Sequence, residues 1–268
     1  MGGEAFKGPD GEPLTTGIKQ AEVGPTLDAL LQDVLRPVGI DSYVPLGSTG
    51  KKPISGDLDI AVGPVPMDDP KALKALKDAL LSNIQAVVGP DNAKLVGQNI
   101  AILQPIAGSP DRFVQVDLML SGDPQKTGWL MSGTGSGVKG VYRNLMLAYI
   151  AKLRSEEQPG TKITVSFPGG IQVVKDGQTV VPRSEDADAI VSTLGIPARP
   201  SEINTFEELV TILARDPSIS GKLEGYETYI GRYLQDPKTA VEAQKSVAAL
   251  KTARGLMETV RLLVRALR

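Results

Sequence analysis

Asp57 and Asp59 stand one residue apart in the stretch Leu46-Gly47-Ser48-Thr49-Gly50-Lys51-Lys52-Pro53-Ile54-Ser55-Gly56-Asp57-Leu58-Asp59, after a small-residue turn and two lysines. A strand through this segment points both carboxylates to one face and Leu58 and Ile60 to the other. Like charges on so small a patch repel, so they must be solvated, share a proton or hold a cation between them. A divalent cation is the simplest remedy, although Asp-x-Asp also arises by chance in many chains. A third acid sits inside Arg112-Phe113-Val114-Gln115-Val116-Asp117-Leu118-Met119-Leu120. There Phe113, Gln115, Asp117 and Met119 share one strand face and Val114, Val116, Leu118 and Leu120 the other. Asp117 is either a plain solvent-facing acid or a further member of the site.

The composition narrows the chemistry. The 268 residues contain no cysteine and no histidine. Catalytic triads built on histidine, cysteine proteases, zinc fingers and zinc hydrolases are therefore excluded. What remains is chemistry run by carboxylates, hydroxyls, lysine, arginine or a metal held by oxygen, which favours magnesium or manganese. A hydrophobic content of 41% and a net charge of −2 describe a globular chain with enough residues for one lobed domain or two small ones. No apolar run is long enough for a transmembrane span, and the first residues lack the pattern of a secretory signal, so a cytoplasmic protein without membrane partners is expected.

Several elements must position the acids. Residues 1–24, rich in glycine, proline and charge, read as a flexible lead-in. Leucine and valine recur at helical spacing over 26–35, and Pro37 stops that helix. Residues 42–46 and 57–62 read as strands, 70–84 as an amphipathic lysine-rich helix, and 93–106 and 112–120 as two further strands. A glycine-dense loop at 132–140 is either simply flexible or shaped to let backbone amides approach a phosphate. It leads into a helix over 142–153. Glycine turns divide 162–181 into a three-stranded antiparallel sheet, and helices follow at 184–196, 204–214 and through most of 217–268. In the last helix Leu250, Ala253, Met257, Val260, Val264 and Leu267 form a 3-4 seam flanked by Lys251, Arg254, Arg261, Arg265 and Arg268. That seam packs on its own domain, pairs with another helix, or brings the arginines to nucleic-acid phosphate.

Taken together, a strand, Gly47-Ser48, Asp57-x-Asp59 and a later strand carrying Asp117 resemble the nucleotidyltransferase superfamily, most of all its DNA polymerase beta (family X) branch. Ser55-Gly56-Asp57-Leu58-Asp59 is the wording most similar to that branch. The order of later elements, with Thr134-Gly135-Ser136 as a "TGS"-type turn, extends the resemblance over about residues 25–214. The resemblance implies an α+β fold: a mixed-sheet palm at 25–125, a thumb-like region with a helix and small antiparallel sheet at 126–215, and a helical extension at 216–268. It also implies two magnesium ions, or manganese, held by Asp57, Asp59 and Asp117. By the same resemblance Gly47, Ser48, Gly56, Lys51 and Lys52 would contact the triphosphate of a (d)NTP, and Tyr142 and Arg143 the base or sugar. The implied reaction joins a nucleotide to a nucleic-acid 3′ hydroxyl and releases pyrophosphate, as in a small DNA polymerase.

The chain departs from the family at several points. Lysines replace the usual arginine of the basic turn and bind phosphate as point charges. Extra residues follow Ser136, and residues 1–24 are too few for the amino-terminal helical module with which many family X polymerases grip DNA. A tRNA end, a protein or a small-molecule hydroxyl therefore stands as an alternative acceptor. A non-catalytic assembly protein, with residues 247–268 pairing with a partner or with a second copy, is the remaining reading. Retention of three mutually repelling aspartates argues against it.

Overall fold

The computed structural model describes residues 3–67, 69–131, 137–166 and 169–266, and of Pro70, Arg261, Leu263, Arg265 and Ala266 the backbone alone. The Thr134-Gly135-Ser136 turn lies outside the described residues. The chain is a mixed α+β protein that divides into two compact units, Met1–Gly128 and Trp129–Arg268. The sequence reading placed its boundaries instead after residues 24, 125 and 215.

The first unit is built on alternation. Val114, Val116, Leu118 and Leu120 of β7 (Ser109–Leu120) and Leu58, Ile60 and Val62 of β4 (Asp57–Val62) all belong to one buried cluster. The cluster is completed by Val23, Leu27 and Leu30 of α1 (Gln20–Leu30) and by Leu80 and Ile84 of α2 (Pro70–Val88). Burying one face this way fixes register, because a slip of a single residue would turn every apolar side chain outward. Five strands form the mixed sheet in the order β2-β4-β7-β6-β5, with β2 at Val44–Pro45, β5 at Ala93–Val96 and β6 at Asn99–Ile106. β4 and β7 run parallel, and the other neighbours run antiparallel. The segment 93–106, read as one strand, is a hairpin: Gly97 takes φ +58, a left-handed conformation that reverses the chain. The helix expected at 26–35 begins earlier, at Gln20, and continues through π-helical Leu31–Leu35 to a turn at Arg36–Val38.

The expectation of a flexible lead-in over 1–24 is corrected by the structure from residue 3 onward. Ile18–Lys19 (β1) pairs with Ile54–Ser55 (β3), and Phe6 is only 2% exposed against Ala101 and Leu103. Phe113 packs against the same cluster. Thr16 N–H donates to the Phe113 carbonyl at 2.7 Å, so the segment is also tied by backbone. Its glycine and proline content marks tight turns rather than disorder.

After α3 (Pro124–Leu130), the second unit is organised by α4 (Gly140–Glu156), which buries Tyr142, Met146, Leu147 and Ile150. A three-stranded antiparallel sheet, β8 (Thr161–Ser166), β9 (Gly170–Lys175) and β10 (Gln178–Ser184), contributes Ile163, Ile171 and Val173 to that core. Helices α5 (Ala187–Thr193), α6 (Phe206–Arg215), α7 (Gly225–Tyr229) and α8 (Gly231–Gln235) lead to α9 (Ala240–Ala266). On α9 the seam is buried through Leu250 and Ala253, whereas Val260 and Val264 are exposed. No helix among the described residues is long and apolar enough to cross a membrane.

Candidate active site

Parallel pairing of β4 with β7 sets Asp59 opposite Asp117 and Asp57 opposite Gln115. Since directly paired residues share a face, all three carboxylates lie on the side of the sheet away from α1 and α2. The first strand supplies two acids because of its alternation. The second contributes one because its register brings it level with them.

Electrostatics follows from this crowding. Burial and then the neighbouring charges of Asp57 and Asp117 raise the Asp59 carboxyl from an ordinary 3.8 to about 7. Asp117 is also raised, chiefly by burial, with Asp57 adding to the shift and a hydrogen bond from Gln115 opposing it. That bond, Gln115 Nε2 to Asp117 Oδ1, is 2.9 Å long. Without a counter-charge, the cluster therefore holds a proton more tightly than isolated aspartates do.

The Gly47-Ser48 turn is fastened beside the acids by a residue the sequence reading passed over. Thr49 is buried; its Oγ1 accepts the Asp59 N–H at 2.8 Å and donates to the Asp59 carbonyl at 3.1 Å. Leu46 N–H reaches the same carbonyl at 2.8 Å. Gly47 has φ +54, and a Cβ added there would lie 3.6 Å from Asp59 Oδ2, so this turn abuts the carboxylate. Ser48 is half-buried in the turn, and Lys51 and Lys52 are exposed just beyond it, neither forming an ion pair among the described residues. Gly56 is exposed immediately before Asp57, with Gly3 packed on its carbonyl.

Tyr142 and Arg143 are placed differently from the expectation that they contact a nucleotide. Tyr142 is 1% exposed and donates to the Thr239 carbonyl at 3.1 Å. Arg143 is fully buried; its Nε donates to the Ile203 carbonyl at 2.7 Å and its Nη1 to that of Trp129 at 3.2 Å. Its guanidinium also stacks on the Trp129 ring at 4.1 Å, and burial lowers its pKa to about 10. Both side chains are committed to the interior of the second unit.

The three acids fit a hard divalent cation in donor chemistry, being carboxylate oxygen throughout. Among the described residues, however, no three or more acidic, histidine or cysteine side chains are gathered closely enough to hold a metal ion without moving. What the arrangement offers is a mutually repelling acidic cluster beside a tight small-residue turn and two exposed lysines. Sequence reasoning also passed over Gln115, for which the only signal was its place on the acidic face of β7.

No protein-family model matches the chain, and no curated protein matches it. Among solved structures it is similar to polymerase beta of Leishmania infantum, described as a ternary P/T complex, with TM-score 0.43 and 15% identity over 70% of this chain and 76% of that one. That likeness is too slight to decide either fold or chemistry, so the functional reading rests on the carboxylates and the turn.

Proposed function

We propose that this chain is a metal-dependent nucleotidyltransferase, joining a nucleotide from a (d)NTP to a nucleic-acid 3′ hydroxyl with release of pyrophosphate, on a polymerase beta-like palm. The observation that carries the reading is the register of β4 on β7, which brings Asp57, Asp59 and Asp117 onto one face, where burial first and the two neighbouring charges second raise the Asp59 carboxyl to about 7. A carboxylate so destabilised in its charged form gains most from a cation.

Asp57, Asp59 and Asp117 would hold magnesium or manganese, which when bound supplies charge neutralisation at the triphosphate and a lowered pKa at the attacking hydroxyl. The chain's own groups do the rest. The Ser48 hydroxyl and the Gly47-Ser48 turn orient phosphate next to Asp59, and Lys51 and Lys52 offset the charge of the departing pyrophosphate. Thr49 keeps that turn and the Asp59 backbone in fixed relation. With phosphoryl transfer demanding little covalent help, positioning and charge are the whole of the protein's task.

The test is incubation with magnesium or manganese, labelled dNTPs or NTPs, and a primer alone or annealed to a template, beside an Asp57→Asn/Asp59→Asn control. Template-directed extension that disappears in the control supports a polymerase, and untemplated addition supports a terminal transferase. Absence of incorporation with every primer and nucleotide refutes transfer to a nucleic-acid end.

A further inference from the structure

We propose that Gln115 is a positioning residue for the carboxylate site, and that the amino-terminal segment 3–16 acts on the site through it. The proposal rests on the reading above that Asp117 is a metal ligand. Gln115 is only 4% exposed and sits between two partners. Its Oε1 accepts the Ala5 N–H at 3.0 Å, and its Nε2 donates to Asp117 Oδ1 at 2.9 Å. A backbone N–H can only donate and an ionised carboxylate can only accept, so one orientation of the amide satisfies both ends. No carboxylate, hydrocarbon or ammonium side chain of that length serves both.

The rest of the segment is built to hold Ala5 in place. Phe6 is buried against Ala101 and Leu103, which pair with Asp117 and Gln115 and therefore share their face of the sheet. Lys94 lies over the Phe6 ring at 4.6 Å and donates to the Ala5 carbonyl. Farther along, Thr15 Oγ1 donates to the Gly3 carbonyl, and Gly3 takes φ +89 with its α-carbon against the Gly56 carbonyl. Only glycine fits there, because a Cβ would come to 2.5 Å from that oxygen. The segment thus covers the sheet face beside the acids, touching down next to Asp57 at one point and holding Asp117 through Gln115 at another. Outer groups that orient a ligating carboxylate in this way typically govern metal affinity by about 10- to 100-fold.

Manganese binding, read by the electron paramagnetic resonance of free Mn2+ during titration, tests the proposal without any turnover. The proteins are wild type, Asp57→Asn/Asp59→Asn, Gln115→Leu, and Phe6→Ala, which loosens the segment and leaves Gln115 intact. The expected result is binding by wild type, loss in the double aspartate variant, and affinity reduced by roughly tenfold or more in Gln115→Leu, with a smaller reduction in Phe6→Ala. Circular dichroism identifies any variant that has not folded, in which case the other decides. A measurement on wild type alone completes the test: coupling is reciprocal, so Mn2+ slows hydrogen exchange at the Ala5 amide. Unchanged affinity in the folded variants, or unchanged exchange at Ala5, overturns the proposal and leaves the metal reading intact. Absence of Mn2+ binding by wild type overturns the metal reading and this proposal with it.

Discussion

Replacing Asp59 by asparagine should stabilise the cation-free protein, an unusual outcome for a half-buried residue with an ordered backbone. Asp59 is raised from 3.8 to about 7 in the folded chain, so the folded state binds a proton more tightly than the unfolded one. Between those values folding takes up protons, and stability falls as pH rises from about 4 to about 7 and stays low above. At about 1.4 kcal/mol per tenfold change in proton affinity, the full loss is about 4 kcal/mol. Partial solvent access reduces this to about 2 to 4 kcal/mol. Asparagine resembles the protonated acid and escapes the penalty, and the Thr49 bonds involve only the backbone of residue 59. Urea unfolding with a chelator present should therefore place Asp59→Asn about 2 to 4 kcal/mol above wild type at pH 8, the gap narrowing by half or more at pH 5. Excess magnesium should close the gap at pH 8 by stabilising wild type alone. A variant less stable than wild type at pH 8, or a gap independent of pH, would refute the electrostatic argument.

Other consequences follow from the same geometry. Thr49→Val keeps the shape but leaves the partly buried Asp59 N–H without its Thr49 partner, with an expected loss of about 1 to 3 kcal/mol in urea unfolding; an unchanged midpoint would show the two bonds to be dispensable. Gly47→Val places a branched side chain at φ +54, with an expected cost of about 1 to 2 kcal/mol and weakened Mn2+ binding beside Asp59 Oδ2. Arg143→Ala strips a buried cation from the Trp129 ring and the carbonyls of Trp129 and Ile203 and should cost about 3 to 5 kcal/mol. Nucleotide binding by the folded Arg143→Ala protein, followed by equilibrium dialysis, should match wild type. A selective loss of that binding would restore Arg143 to the site.

Much of the first unit was legible because one face of its sheet is buried. Alternation over 57–62 and 112–120 identified both strands and put the three aspartates on polar faces. It did not reveal that Asp59 faces Asp117, since the register of two parallel strands depends on the course and packing of the whole crossover that joins them in the chain. Gln115 and Thr49 were invisible for another reason. A single glutamine or threonine carries no pattern, and its importance arises only when a distant backbone N–H meets it. The amino-terminal segment misled because glycine and proline mark both disorder and tight turns, and what distinguishes them here, the burial of Phe6 and the backbone ties to β3 and Phe113, depends on distant residues. Tyr142 and Arg143 were misplaced because α4 is buried around most of its circumference, including an arginine whose Nε and Nη1 donate to carbonyls that lie 60 and 14 residues away in the chain.

The central claim is that Asp57, Asp59 and Asp117 together hold the cation that serves a nucleoside triphosphate. Crystals grown with Mn2+ and a non-hydrolysable nucleoside triphosphate, measured at the manganese absorption edge, test it most directly. The account predicts anomalous density among these three carboxylates, with the triphosphate lying against Gly47 and Ser48. Bound nucleotide elsewhere, or a triphosphate in the turn with no manganese beside the aspartates, would contradict it.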